Sequence, residues 1–289
     1  MSKFDEVFRD DVRVEYRRIC DLHLSGGDPY FGNFSIGLQE IFDAHFLLVD
    51  YFFKIGEGIG GVGPKSVDLL HSAISRQFSS YAGRPKWSNR IEICATLLFG
   101  LIKNHPFYDA NKRTAFLVSL LHLQKIGRTP KVEAKVFEDL TVAIADNKLD
   151  ELSNSQLDDD GKVRFIATFL KRNTREIDLR GKLVTFNELN AILAGYGMRL
   201  EHPKGNKIDV VRYLDEELGS ELKEPRRVAH IGFHGWTKEV SKKDIHIVRT
   251  AAKLDPQHGI DSQSFFGGQQ TPLEMIRKYE EPLRRLAYR

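Results

Sequence analysis

Two apolar stretches separated by a short polar loop constrain the fold of this 289-residue chain more than any other feature. Within residues 91–102, Ile91, Cys94, Leu98 and Leu101 recur at helical spacing, and residues 116–123 are apolar on nearly every side. A helix without a polar face belongs in the centre of a bundle, which leaves the intervening loop at the mouth of a buried helix. Further helices are read over residues 35–53, 135–145 and 162–170, the last after the polar stretch 153–161. Residues 1–34 read as an appended helix and linker, with Phe4, Val7, Phe8 and Val12 at helical spacing before Gly26-Gly27-Asp28-Pro29.

The loop itself, His105-Pro106-Phe107-Tyr108-Asp109-Ala110-Asn111-Lys112-Arg113-Thr114-Ala115, concentrates an imidazole, a carboxylate, an amide and two cations in nine positions. A loop that feeds a helix start offers unpaired N–H groups and the positive end of the helix dipole, so anionic oxygens are favoured there before any side chain is counted. His105 can take a proton near neutral pH, Asp109 can hold a hard cation, Asn111 can donate to phosphate, and Lys112 and Arg113 can neutralise charge that develops during transfer. Taken singly, each has an ordinary reading. Asp109 can cap a helix, Asn111 can sit in its first turn, the two cations can be solvated, and His105-Pro106 can be a plain helix terminus. Their occurrence together in one loop favours phosphoryl or nucleotidyl transfer.

This segment resembles the signature of the Fic/Doc family, His-x-Phe-x-Asp/Glu-Gly-Asn-Gly-Arg, and is closest to its Doc (death on curing) branch. Ala110 stands where glycine is usual, Lys112 replaces the second glycine, and Phe116 occupies the place of the second arginine of AMP-transferring members. The flanks agree: residues 36–48 are similar to the family's opening helix, 56–74 to its glycine-rich turn and next helix, and 91–103 to the helix leading into the motif. The resemblance spans residues 35–172. It implies His105 as general base on a hydroxyl of a target protein, Phe107 as core anchor, Asp109 as Mg²⁺ ligand, and Asn111, Lys112 and Arg113, with Ala110 beside them, as the phosphate cradle for ATP. Lys112 and Phe116 tilt the expectation toward transfer of the terminal phosphate to Ser or Thr, as in Doc. AMP transfer, or a Fic-fold binding protein without turnover, is the alternative. A toxin of this kind implies a target in the translation machinery and an antitoxin or other inhibitory protein. The family's inhibitory Ser/Thr-x-x-x-Glu-Gly/Asn motif has no match, so restraint is expected from a partner. Residues 77–90 lie where the family carries a flap that pairs with its target through main-chain groups.

Gly56-Glu57-Gly58-Ile59-Gly60-Gly61 also satisfies the dinucleotide-binding pattern G-x-G-x-x-G. The stretch before it is helical and no strand–helix alternation follows, so a turn between helices is expected instead. Hydrophobic content of 41% and charged content of 29% are those of a chain able to bury a core. No apolar run reaches the roughly 20 residues of a membrane span and the first residues are charged, which points to a cytoplasmic protein. Cys20 and Cys94 make no disulfide framework.

Beyond residue 173 the pattern changes. Thr185-Phe186-Asn187-Glu188 is a capping box for a helix to Leu193, strands are read over 198–201, 207–214 and 227–233, and Ser241-Lys242-Lys243-Asp244 caps a helix reaching Lys253. The order α-β-β-β-α resembles the HicA-type toxins, of the double-stranded-RNA-binding kind, over residues 183–254. In that family a histidine after Gly-Ser at the first hairpin cuts RNA; here the run is Gly205-Asn206-Lys207, so ribonuclease activity is not expected and binding of RNA or protein is what the resemblance implies. Residues 1–172 hold equal numbers of acidic and basic side chains, and the whole net charge of +3 lies in residues 173–289. His230, His234 and His246 with Trp236 lack a cysteine or carboxylate set for a metal. Thr271-Pro272-Leu273-Glu274 opens a last helix, carrying Arg277, Lys278, Arg284 and Arg285, whose docking partner is left open. The expected class is α+β: a helical Fic/Doc domain (35–172) after the N-terminal helix and linker (1–34), an α/β domain (173–254) and a helical tail (255–289).

Overall fold

The structure is a computed structural model and describes residues 8–57, 59–176, 184–214, 221–255, 265–266 and 271–289. Residues 8–176 form α1 (Asp10–Leu24), α2 (Leu38–Lys54), α3 (Val67–Ser75), the two-residue strands β1 (Ser80–Tyr81) and β2 (Arg84–Pro85), α4 (Arg90–Asn104), α5 (Asn111–Lys125), β3 (Arg128–Pro130), α6 (Ala134–Ala145), α7 (Leu149–Ser153), α8 (Asp159–Asn173) and β4 (Thr174–Glu176). Side chains set the starts of several helices by accepting from orphan amides: Ser66 from Leu69, Asn89 from Ile91 and Glu92, and Asp158 from Gly161. Apolar α5 is enclosed by its neighbours, with residues 113–120 and 122–124 all buried. Its own Phe116 and, packed around it, Phe42, Phe46, Phe52 and Phe107 are fully buried.

The chain's last helices, Pro272–Lys278 and Glu280–Arg285, belong to the same compact unit as residues 8–176. Met275, Ile276, Tyr279, Leu283 and Leu286 lie in one core cluster with α1, α2, α4 and α5, and the buried carboxylate of Glu138 on α6 accepts from Arg285 Nε at 2.8 Å and Arg289 Nη1 at 2.7 Å. From the N-terminal side, Phe8, Val12, Tyr16 and Ile19 enter this core, and the Tyr16 hydroxyl donates to Asp43 at 2.5 Å.

Residues 184–214, 221–255 and 265–266 make the described part of the second unit. It consists of α9 (Phe186–Ala194), β5 (Met198–Lys204), β6 (Lys207–Leu214), β7 (Glu221–Gly232) and α10 (Lys242–Ala251), with an antiparallel sheet in the order β5-β6-β7. Alternation sorts the sheet: Met198, Leu200, Ile208, Val210, Ala229 and Ile231 share a core with Leu189, Leu193, Ile245 and Val248 of the two helices. The third strand begins six residues before the expected 227, because β7 is an edge strand, where Pro225 and the charges of Glu224, Arg226 and Arg227 are tolerated.

Candidate active site

α4 ends at His105 in the left-handed region (φ 46, ψ 56), and α5 starts after Ala110, also left-handed (φ 60, ψ 20). Between these two bends the motif loop lies against residues 60–66. The Lys65 and Ser66 amides donate to Pro106 O at 2.9 and 3.2 Å, and the Tyr108 amide donates to Gly63 O at 3.2 Å. A Cβ at Gly61 would sit 2.6 Å from Tyr108 Cβ, and Gly63 has φ +80, so both positions need glycine. The glycine run therefore serves the motif loop within a connection between helices, as its helical approach led us to expect; Gly58 lies outside the described residues.

Phe107 anchors the loop, buried and stacked on His45 with centroids 3.8 Å apart and planes 13° from parallel. Asn111 braces it: its Oδ1 accepts from the Phe107 amide and its Nδ2 donates to the Phe107 carbonyl, both at 2.9 Å. The carboxamide expected on phosphate is thus engaged with the loop's own backbone. His45 faces Thr114 Oγ1 through Nδ1 at 2.9 Å, and burial, with the charge of Arg113, pushes its imidazole down to about 3, which keeps it neutral.

Asp109 Oδ2 accepts from the Gly60 amide at 2.7 Å, and Oδ1 accepts from the Ala110 amide. Burial opposes ionisation, but these amides and the Arg113 guanidinium outweigh it and hold the carboxyl below its ordinary value. Arg113 is 2% exposed, with Nη2 3.5 Å from Asp109 Oδ2 and its guanidinium carbon 5.2 Å from the Phe52 ring centroid. Its Nη1 is buried without a hydrogen-bond partner among the described residues. Burial lowers the Arg113 pKa while Asp109 and Glu57 raise it, and Glu57 in turn pairs with Arg284. Lys112 has no ion pair among the described residues. His105 reaches solvent, and partial burial with the charges of Lys65, Lys103 and Lys112 lowers its pKa.

The six motif residues singled out in the sequence thus sit in one loop and the first turn of α5. Sequence reasoning missed His45, Glu57 and Lys65. An isolated histidine inside an apolar helix and single charges beside glycine or proline give no local signal; His45 comes in by stacking on Phe107, Glu57 through the charge of Arg113, and Lys65 by the pairing of its segment with the loop. Phe116, in place of a second arginine, is fully buried and meets Tyr279 edge-on with centroids 5.9 Å apart. The flap segment forms the β1–β2 hairpin, turning at Ala82 (φ 49) and Gly83 (φ 75), beside a cavity of about 720 Å³ lined in part by Phe78, Trp87 and Ile93. In the second unit, His230 lies on β7, His234 and Trp236 follow that strand, and His246 is on α10. No group of three or more metal-ligating side chains forms among the described residues, and no helix among them is long and apolar enough to cross a membrane.

A carboxylate and a buried guanidinium at a helix start, with an exposed imidazole at the other end of the loop, define a site for an anionic ligand. Residues 35–123 match the model of the Fic/DOC family, whose members are typically transferases using ATP, typically with Mg²⁺. No curated protein and no solved structure matches the chain.

Proposed function

We propose that the first unit moves the terminal phosphate of ATP onto a Ser or Thr hydroxyl of a target protein. The observation that carries this reading is Arg113: a buried guanidinium, oriented by Asp109 at the start of α5, with Nη1 left without a protein partner. A buried donor without an acceptor is costly, and a phosphate oxygen at the helix start relieves that cost. His105, kept neutral by its lowered pKa, accepts the hydroxyl proton as the hydroxyl oxygen bonds to the γ-phosphorus and the bond to the β–γ bridging oxygen breaks, releasing ADP. Arg113 and Lys112 stabilise the charge that spreads over the phosphoryl oxygens. Asn111 and Phe107 hold the loop in register with α5, so both ends of the reaction stay fixed. Asp109, ionised and half-exposed, suits Mg²⁺, which is commonly held by one carboxylate together with substrate phosphates. Bound there, the ion would neutralise phosphate charge.

Terminal-phosphate transfer is favoured over AMP transfer by two features. Lys112 adds a point charge to the cradle, and Phe116 is spent on the core, so no second arginine reaches the phosphates from that position. The β1–β2 hairpin offers exposed main-chain groups for an extended target segment, the second unit is a recruiting module for RNA or protein, and an inhibitory protein partner supplies restraint. The test is incubation of the purified protein with a lysate and ATP labelled at either the α or the γ position. Label from γ alone on a protein band is expected. Label from α identifies an AMP transferase, and no label from either identifies a binding protein.

A further inference from the structure

The far end of the chain reaches the motif loop through one carboxylate. α2 ends in a turn whose Glu57 amide donates to Phe52 O at 2.9 Å, and the Phe52 ring centroid lies 5.2 Å from the Arg113 guanidinium carbon, so a single residue places Glu57 and the motif arginine side by side. Glu57 Oε1 pairs with Nε of Arg284 on the helix Glu280–Arg285, whereas Glu57 Oε2 is buried without a hydrogen-bond partner among the described residues. Arg113 Nη1 is in the same condition. A buried carboxylate oxygen and a buried guanidinium nitrogen are thus neighbours, both unsatisfied, and the Glu57 charge raises the Arg113 pKa. Left to themselves the two would pair, because each orphaned polar atom is costly and a guanidinium–carboxylate contact satisfies both.

Arg284 is what draws Glu57 the other way, and the tail holds that arginine in place. Arg284 Nη2 donates to Glu280 Oε1 at 3.1 Å, Glu280 Oε2 accepts from the Tyr51 hydroxyl of α2, and Tyr279 meets Phe116 of α5 edge-on. Ile276 and Leu283 are fully buried on either side of these contacts. The Arg284 side chain is 48% exposed and that of Glu57 18%, so the arginine approaches the carboxylate from the solvent side.

We propose that Arg284 is a positioning residue for the phosphate cradle: it draws the Glu57 carboxylate off Arg113 and keeps Nη1 open for a phosphate oxygen. The inference rests on the motif loop being an ATP site. Without Arg284, Glu57 becomes an internal competitor for Arg113, and ATP has to displace it. Such a competitor raises the ATP concentration required and leaves the saturated rate alone, so the effect belongs to KM and not to kcat. Glu57 lies inside residues 35–123, the segment matching the family model, and Arg284 lies outside it, so the cradle is completed by the chain's last helix.

The test uses the full chain, with Mg·ATP affinity measured by calorimetry and KM and kcat measured for transfer of γ-label. Arg284→Met should weaken ATP binding and raise KM by roughly 10–100-fold, the effect of one hydrogen bond to a charged group, with kcat within about twofold of wild type. Glu57→Gln should bind ATP more tightly than wild type, and Glu57→Gln/Arg284→Met should match Glu57→Gln, because the competitor is gone from both. The double variant carries the wild-type net charge, and recovery of affinity in it excludes both a plain charge effect and misfolding as the cause of the Arg284→Met loss. Unchanged affinity in Arg284→Met, a loss confined to kcat, or weak binding that persists in the double variant would each overturn the proposal and leave the transfer reading standing. The expected coupling of affinities without any γ-transfer supports the positioning role and counts against the transfer reading. A wild-type protein with no affinity for ATP overturns both.

Discussion

Asn111→Ala separates two roles that the motif residue could play. As a phosphate donor, Asn111 would affect ATP affinity and leave the fold alone. As the brace seen here, it makes two hydrogen bonds to Phe107, at 2.9 Å each. Each is worth about 1 kcal/mol, and leaving the Phe107 amide unpaired in a residue only 1% exposed adds about 1–3 kcal/mol, so the variant should lose roughly 3–5 kcal/mol. Loosening the loop by about 1 Å should also cost on the order of 100-fold in transfer rate. Urea unfolding followed in parallel with transfer of γ-label measures both. Asn111→Asp keeps the acceptor for the Phe107 amide, loses the donor to its carbonyl, and should lose about half as much stability. A change below about 0.5 kcal/mol for Asn111→Ala, with only the KM for ATP raised, would refute the brace.

Three further outcomes follow from the same geometry. Removing a cationic neighbour in Lys65→Met should raise the pKa of His105 toward its ordinary value; because the base must be neutral, the acidic limb of the kcat/KM profile should then move to higher pH, and no movement or a downward one counts against the assignment. Deleting residues 271–289 uncovers the sites of Met275, Ile276, Leu283 and Leu286, worth about 1.5–3 kcal/mol each, a sum comparable to a whole domain's stability, so the first unit should lose cooperative unfolding in calorimetry. In Ala110→Gly, relief of about 1–2 kcal/mol of left-handed strain is offset by about 0.8 kcal/mol for the buried methyl and about 0.4–1 kcal/mol of added freedom in the unfolded chain, so the urea-derived stability should stay within about 1 kcal/mol of wild type.

The motif helices were legible because their signals are local. α4 and α5 follow from apolar spacing, and α9, α10 and the helix Pro272–Lys278 from Ser or Thr caps with an acidic residue three positions on. Local signals fail where an element exists only through a distant partner. β3 and β4 are three residues each, pair across more than forty positions, and leave no period to read. The same limit hid His45 and Lys65, whose place at the site depends on Phe107 stacking and on the glycine strand beside the loop.

The assignment of His105 as base is tested most directly by His105→Ala, with ATP affinity measured calorimetrically beside γ-phosphate transfer. The side chain is exposed and makes no hydrogen bond among the described residues, so folding and nucleotide affinity should stay within a few-fold of wild type while transfer falls by roughly 10²–10⁴-fold. Transfer that persists in a folded, ATP-binding His105→Ala protein contradicts it.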